Sequence, residues 1–265
     1  MLQSSSNPRR NHVLSMKRET SVIDLSRRFG ELSGMQWPTL DSEPSLVEQA
    51  LDRLRRDIVA GTRQPGERLR IERLRTLYGI GPSPLREALQ RLAADGLVIV
   101  NSNRGFQVAP LDPREFLDLN RARVAVETAA LRLSIEMGEE EWEAGVVAAA
   151  YSLEKQDQLL IRGELQDFDR WEQLNSRFHT SLVAACGSRW LLKHRGMLQE
   201  QCERYRRASV YHARLERNLL EEHNAIAQAV LARDTETACR LVADHFNSTA
   251  TNLAQLLEQR DRKAG

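Results

Sequence analysis

The sequence predicts a mainly α-helical protein, with an N-terminal unit of three helices and a β-hairpin followed by an all-α bundle. Three observations lead to this prediction. Residues 43–110 contain three short amphipathic segments and then two strand-like runs. Residues 111–260 repeat apolar side chains at helical spacing, with no alternating strand pattern. The net charge changes sign at the same place, because residues 1–110 hold 17 basic and 12 acidic side chains whereas the remainder is net acidic.

The overall composition excludes several classes of protein. With 41% hydrophobic and 28% charged residues, it is the composition of a globular protein. Three widely spaced cysteines without a CxxC pair argue against a disulfide framework and favour a reducing cytoplasm. No apolar run approaches the roughly 20 residues of a membrane span, and the N-terminus lacks a signal-peptide core. Residues 1–42, rich in serine and paired basic residues, are expected to form a mobile tail.

The N-terminal unit begins with two helices joined by a turn. Apolar residues share one face of the segment 45–60, which predicts the first helix. The sequence QPGERL at 64–69 predicts a turn, because proline and glycine favour one. The segment 71–79, IERLRTLYG, predicts a short second helix that ends at Gly79, since glycine readily adopts the left-handed conformation of a helix C-terminus.

The third helix is predicted in GPSPLREALQRL, with Ser83 as its N-terminal cap and Pro84 in its first turn. Four apolar residues share one side of this helix: Leu85, Ala88, Leu89 and Leu92. Arg86 and Gln90 point away from that side, at about 100° and 140° from the first leucine. Arginine suits the edge of guanine and glutamine the edge of adenine. The alternative is an ordinary solvated face, which most surface helices have.

The order of elements favours DNA reading over that alternative. The runs LVIV and FQVA predict a β-hairpin whose tip carries Arg104 and Gly105. Two short helices, a tight turn between them and a following hairpin make the winged helix-turn-helix layout. In it the second helix enters the major groove, and the wing reaches the backbone or the minor groove. Arg104 supplies positive charge at the wing, and Gly105 allows a close approach.

This N-terminal unit, about 65 residues long, resembles the GntR-type winged-helix domain. The matching motifs are PGERL, the run ERLRTLYGIGPSPLREALQRLAADGLV, and RGFQV. The resemblance implies that Arg86 contacts operator bases, whereas Pro82 stands where relatives usually carry a second DNA-reading arginine. The predicted DNA-binding residues are Arg70, Arg75, Ser83, Pro84, Arg86, Gln90, Asn103, Arg104 and Gly105.

The remainder of the chain predicts a helical bundle. Asp112 and Pro113 form a typical helix start, with an acidic cap and a proline in the first turn. Six helices are predicted, at about 113–137, 139–161, 167–186, 189–209, 215–232 and 235–259.

Three histidines of the bundle form a candidate metal site. Asn175 and His179 are four residues apart and share one helical face. His223 and His245 lie on the last two helices, and antiparallel packing of these would bring both imidazoles to similar heights. Imidazole together with an amide oxygen suits zinc or nickel. The alternative for each histidine is a purely structural place in the core.

After the winged helix, the chain resembles the FadR branch of GntR regulators, whose second domain is the all-helical FCD domain for effector binding and dimerisation. The resemblance implies a divalent metal held by His179, His223 and His245. The fourth ligand position, usually Asp, is Asn175, so weaker metal binding is expected. The alternative is a pocket that binds no metal.

The resemblance also implies an effector pocket for a small organic acid. Arg123, in NRARVAVETAA, matches a family arginine that pairs with an effector carboxylate. Its alternative is an internal ion pair with Glu127, four residues along the helix. Arg204 and Tyr205, in ERYRR, are further candidates for the pocket.

The favoured function is a ligand-controlled transcription factor, expected to be a repressor and not an enzyme. Two chains would form a homodimer on a near-palindromic double-stranded DNA operator, and a small carboxylate would lower operator affinity. One alternative is a metalloenzyme, but the sequence has no HExxH and no obvious general base beside the histidines. A DNA-organising protein without an effector is the other alternative.

Overall fold

In the computed structural model, residues 44–101, 105–210 and 217–264 are described. The tail at 1–42 and two predicted DNA-binding residues, Asn103 and Arg104, lie outside the described residues. The architecture is mainly helical with one small sheet near the N-terminal end, as predicted. The small unit and the bundle have separate hydrophobic cores, one between Ala50 and Val108 and the larger one between Ala130 and Phe246.

The first two helices confirm their predictions. Helix α1 spans Leu46–Val59 and begins at Ser45, whose hydroxyl accepts a hydrogen bond from the Glu48 backbone while the Glu48 carboxylate accepts one from Ser45. Helix α2 spans Ile71–Tyr78. It ends at Gly79, where φ is 68°, a conformation that glycine adopts without a steric penalty.

Helix α3 spans Pro82–Ala94 and starts differently from the prediction. Its N-cap is Gly81, so Ser83 lies inside the first turn and makes no capping hydrogen bond. The backbone N–H groups of the first turn have no partner within a helix, and Pro82 and Pro84 have none to satisfy. The first turn therefore has two fewer N–H groups that need a partner, and the predicted side-chain cap at Ser83 is absent. The predicted core stripe is confirmed, since Leu85, Ala88, Leu89 and Leu92 are buried.

The sheet contains one strand more than predicted. Strand β1, Arg68–Leu69, lies in the segment that the sequence analysis assigned to a turn. It pairs antiparallel with β3, Gly105–Val108, which also pairs with β2, Val98–Asn101, in the order β1-β3-β2. Two residues are too short for an alternating pattern, so the prediction missed the strand. Its pairing fixes Arg68 beside the wing.

The bundle is formed by six further helices. They are α4 Pro113–Met137, α5 Glu140–Arg162, α6 Phe168–Leu182, α7 Arg189–Val210, α8 Leu219–Leu231 and α9 Thr235–Ala264. Helix α4 packs along both α9 and α7, and α5 packs against α6 and α8. Helix α7 also contacts α1, so it belongs to the bundle and touches the DNA-binding unit as well.

Candidate functional site

The DNA-binding unit presents a basic concavity of about 270 Å³ between the recognition helix and the sheet. Arg68, Arg70, Arg86 and Gly105 line it. These three arginines are exposed, and none pairs with a carboxylate among the described residues. Uncompensated guanidinium groups are what a phosphate backbone attracts. Arg68 was missed by the sequence analysis, because its position depends on strand pairing.

The other predicted DNA-binding residues that the structure describes are exposed or partly exposed. Gln90 is exposed on the outer side of α3, as its angular position predicts. Ser83 is exposed and Pro84 half-buried in the first turn of the same helix. Arg75 on α2 lies 3.6 Å from the carboxylate of Glu72, so it is partly neutralised.

The end of the recognition helix is attached to helix α7 of the bundle. Arg55 on α1 makes ion pairs with Asp95 at 2.5 Å and with Glu200 of α7 at 2.7 Å. Gln201 donates a hydrogen bond to the backbone carbonyl of Asp95 at 2.6 Å. Gly96 has a φ of 75°, and a Cβ there would lie 3.4 Å from the Gln201 amide nitrogen. The positive φ favours glycine at this position, whereas the contact with Gln201 would leave room for a Cβ.

The bundle encloses a small cavity with about 30 Å³ of free space. Asn175, His179, His223, His245 and Arg123 all line it. The lining also includes two residues of α7, Cys202 and Arg206. Residues from five helices of the bundle therefore line one cavity. The histidines predicted to bind a metal and the arginine predicted to bind an effector both lie in it.

The three histidines form a compact triad. His179, His223 and His245 are each at most 7% exposed, and each offers a ring nitrogen within 4.8 Å of those of the other two. The ring centroids are separated by 4.9 to 5.6 Å. Both ring nitrogens of His179 and Nε2 of His223 have no hydrogen-bond partner among the described residues. Buried nitrogens without partners are costly, and a bound divalent metal would satisfy them.

Burial also favours the neutral form of these imidazoles. It lowers the pKa of His179 well below its usual range, and the neighbouring histidines and Arg123 act in the same direction. Burial lowers the pKa of His245 to about 3, although the hydrogen bond to Glu222 acts against this. A neutral imidazole has a free lone pair, which is the form that binds a metal.

Two carboxylates lie against the histidines, contrary to the expectation from sequence. Asp157 approaches Nδ1 of His223 at 2.7 Å, and Glu222 approaches Nδ1 of His245 at 2.7 Å. In each pair the carboxylate and the imidazole belong to different helices. The sequence indicated no general base beside the histidines, because each carboxylate lies far along the chain from the histidine that it contacts, by 66 residues for Asp157 and 23 for Glu222.

Arg123 combines the two interpretations that the sequence left open. Its Nε lies 3.4 Å from the Glu127 carboxylate, and its guanidinium carbon lies 3.9 Å from the centre of the Phe246 ring. Glu127 is shared with Arg195, whose Nε is closer, at 3.0 Å. Within the described part of the chain, no hydrogen-bond partner is found for the terminal nitrogens of Arg123. The residue therefore has an internal ion pair and still offers donors to the cavity.

The other two effector candidates lie elsewhere, which corrects that prediction. Arg204 and Tyr205 are buried but do not line the cavity. Arg204 lies 3.4 Å from the carbonyl of Pro110. The Tyr205 hydroxyl accepts from the backbone of Asp112 at 3.3 Å and donates to Glu115 at 3.2 Å. Both side chains hold the segment that joins the two units.

Comparisons with known proteins agree with this architecture. The model of the gntR family of bacterial regulatory proteins matches residues 46–108, and the FCD domain model matches residues 118–248. BphR, an HTH-type transcriptional regulator of Paraburkholderia xenovorans (strain LB400), is 40% identical over 80% of this chain and 86% of its own length. The chain belongs to the GntR family.

Two further known proteins match most of the length of this GntR regulator. GlaR, an HTH-type transcriptional repressor of Escherichia coli (strain K12), is 38% identical over 73% of this chain and 89% of its own length. The solved structure of E. coli McbR/YncC has the same fold, with a TM-score of 0.68 and 22% identity over 80% of this chain and 99% of that chain. This protein is thus a DNA-binding transcriptional regulator with an FCD domain. Among the described residues, no helix combines the length and apolarity of a membrane span.

Proposed function

We propose that this GntR regulator represses transcription as a homodimer on a near-palindromic operator, and that a small carboxylate held beside a divalent metal in the bundle releases it. The observation behind the proposal is that one cavity brings together three histidines and Arg123, and that nitrogens of His179 and His223 and the terminal nitrogens of Arg123 have no hydrogen-bond partner among the described residues. Zinc or nickel fits this neutral donor set.

The residues of the cavity have separable tasks in this proposal. His179, His223 and His245 hold the metal, with the Asn175 amide oxygen as a fourth ligand. When bound, the metal supplies positive charge and open positions for carboxylate oxygens. Arg123 orients the carboxylate by charge-assisted hydrogen bonds from its terminal nitrogens.

The size of the cavity supports a coupling between effector and DNA. Free space of about 30 Å³ holds on the order of two water molecules, so a carboxylate with several heavy atoms requires the walls to move. Helix α7 is one of those walls, through Cys202 and Arg206. The same helix holds Asp95, at the end of the recognition helix, through Gln201. A displacement of α7 would change the position of the recognition helix, and differential binding to two such states is the basis of allosteric control.

A thermal-unfolding screen tests the proposal directly. Chelator-treated protein is measured with Zn²⁺ or Ni²⁺ and with a panel of mono- and dicarboxylates. A ligand at 100 times its Kd stabilises the folded state by about 2.7 kcal/mol, which corresponds to a Tm increase of roughly 5–10 °C in a protein of this size. A carboxylate that raises Tm only together with the metal should also weaken binding to an operator selected from random DNA.

Two arginines of helix α4 provide the matched variants. Arg123→Ala should abolish the response to the carboxylate while metal binding persists. Arg132→Ala, which removes an exposed arginine paired with Glu236, should leave both responses intact. Operator binding that no metal and no carboxylate alters would contradict the proposal and favour a DNA-organising protein without an effector.

A further inference from the structure

The histidine triad is supported by two carboxylates that differ in burial. Asp157 is fully buried, at 0% exposure, and contacts His223 through one oxygen, Oδ2. Its other oxygen, Oδ1, accepts a hydrogen bond from Nε1 of Trp171 at 2.7 Å. Both oxygens therefore have a fixed partner, and the carboxylate cannot rotate without losing one of the two bonds.

Glu222 occupies the equivalent place for His245 but is less buried. Its side chain is 31% exposed, its Oε1 accepts a hydrogen bond from Nε of Arg217 at 3.0 Å, and the oxygen that contacts His245 is also paired with Arg217. Arg217 additionally donates to Thr249 and to the backbone carbonyl of His245. Because this carboxylate is partly solvated and its charge is offset by a guanidinium, its interaction with the imidazole is weaker than that of the fully buried Asp157 with His223.

The hydrogen-bond pattern determines which ring nitrogen faces the cavity. An ionised carboxylate only accepts, so Nδ1 of His223 and of His245 must carry the proton. The lone pair is then on Nε2, the nitrogen that remains available to a metal. His179 has no such carboxylate, and neither of its ring nitrogens is engaged within the described part of the chain.

We infer that Asp157 and Glu222 are positioning residues of the metal site, that they fix His223 and His245 in the metal-binding tautomer, and that Asp157 is the stronger of the two. The inference rests on the metal of the proposed function. Partners of this kind orient ligating histidines, and their loss lowers metal affinity by about 10–100-fold. Asn175 contributes no charge as a ligand, so these two carboxylates provide the negative charge next to the triad.

The substitution Asp157→Asn tests the tautomer argument, because the Trp171 indole can only donate. The introduced amide must turn its oxygen towards the indole and its NH₂ group towards His223. Nδ1 of His223 then has to accept, and the proton moves to Nε2, where it blocks the metal. We expect Zn²⁺ affinity to fall by about 10–100-fold, measured by competition with a chromophoric chelator. Glu222→Gln should cause a smaller loss.

A second substitution separates this mechanism from simple loss of charge. Trp171→Phe keeps an aromatic ring but removes the N–H donor, which frees the amide at position 157 to rotate. The double variant Asp157→Asn/Trp171→Phe should therefore bind Zn²⁺ more tightly than Asp157→Asn alone. The visible absorption of bound Co²⁺ should recover in parallel. A general destabilisation of the cavity would instead make the double variant worse.

The control is Glu154→Gln, one turn before Asp157 on α5, whose carboxylate contacts Gln158 rather than a histidine. Its Zn²⁺ affinity should stay within about twofold of the wild type. Operator binding by the metal-free variants verifies that each is folded. If the wild type binds no Zn²⁺, the proposed metal site fails. If the wild type binds and Asp157→Asn binds equally well, or the double variant shows no recovery, the inference on positioning fails.

Discussion

The side-chain amide of Gln201 donates a hydrogen bond to the backbone carbonyl oxygen of Asp95 over 2.6 Å, and this bond connects the FCD domain to the end of the recognition helix. Gln201 is adjacent in sequence to Cys202, which lines the buried cavity. One turn of α7 therefore contacts both the cavity and the DNA-binding unit.

Gln201→Ala should weaken communication between the two domains. A neutral hydrogen bond contributes about 1 kcal/mol, which corresponds to a coupling factor of roughly five. We expect the change in operator affinity caused by metal and carboxylate to shrink by about fivefold, while the affinity of the ligand-free protein stays within threefold. Fluorescence anisotropy with a labelled operator measures both quantities. Gln158→Ala, whose amide bonds within α5, should behave like the wild type.

Arg86→Ala should remove sequence-specific binding. The side chain is exposed at the start of the recognition helix, and a bidentate contact with guanine contributes about 1–3 kcal/mol. Operator affinity should fall by roughly 10–100-fold in a gel-shift titration, with little loss on random DNA. Arg91→Ala, on the same helix, removes an arginine paired with Glu87 and should change affinity by less than about twofold. Equal losses for both variants would contradict the assignment.

Arg68→Ala should act on DNA affinity without regard to sequence. Arg68 lines the basic concavity beside Arg70 and Arg86, where it suits a backbone phosphate. The loss of one phosphate contact should weaken operator and random DNA alike, and should reduce the slope of log K against log salt by about 1. Arg121→Ala, an exposed arginine of the bundle, is the control and should leave the slope unchanged.

Tyr205→Phe should lower stability without affecting ligand binding. The hydroxyl bonds to Asp112 and Glu115 at the junction, so its loss should reduce the free energy of unfolding by about 1 kcal/mol in a urea titration. Metal and carboxylate affinities should not change, because the residue lies outside the cavity. A tenfold loss of either affinity would contradict this expectation and assign Tyr205 to the effector site.

The recognition helix shows how much local pattern can predict. Its buried stripe and its exposed Arg86 follow from a repeat of 100° per residue, and both were correct. Its predicted cap, Ser83, was wrong by two residues, because the helix already begins after Gly81 and its first turn contains both Pro82 and Pro84. Helix existence is a local property, whereas the terminal residue depends on which backbone groups need a partner.

The histidine triad shows the limit of such patterns. His223 and His245 were expected together because their helices were expected to pack antiparallel, and the family resemblance added His179. The ring nitrogens of all three do meet. Asp157 was not expected, since it lies 66 residues from His223 and no repeat relates the two. Arg204 and Tyr205 were misassigned for the same reason: adjacent positions on α7 face different neighbours.

The sequence by itself determined the order of elements, the apolar faces of the helices and the residues that can read DNA or bind a metal, because helical periodicity and residue chemistry are local. The tertiary structure decided which carboxylate meets which imidazole, that Arg68 joins the DNA-binding surface, and that Gln201 reaches Asp95. Those contacts depend on the angles and registers at which whole helices and strands pack. Packing follows from the sum of many apolar contacts across the chain, and no short segment encodes it.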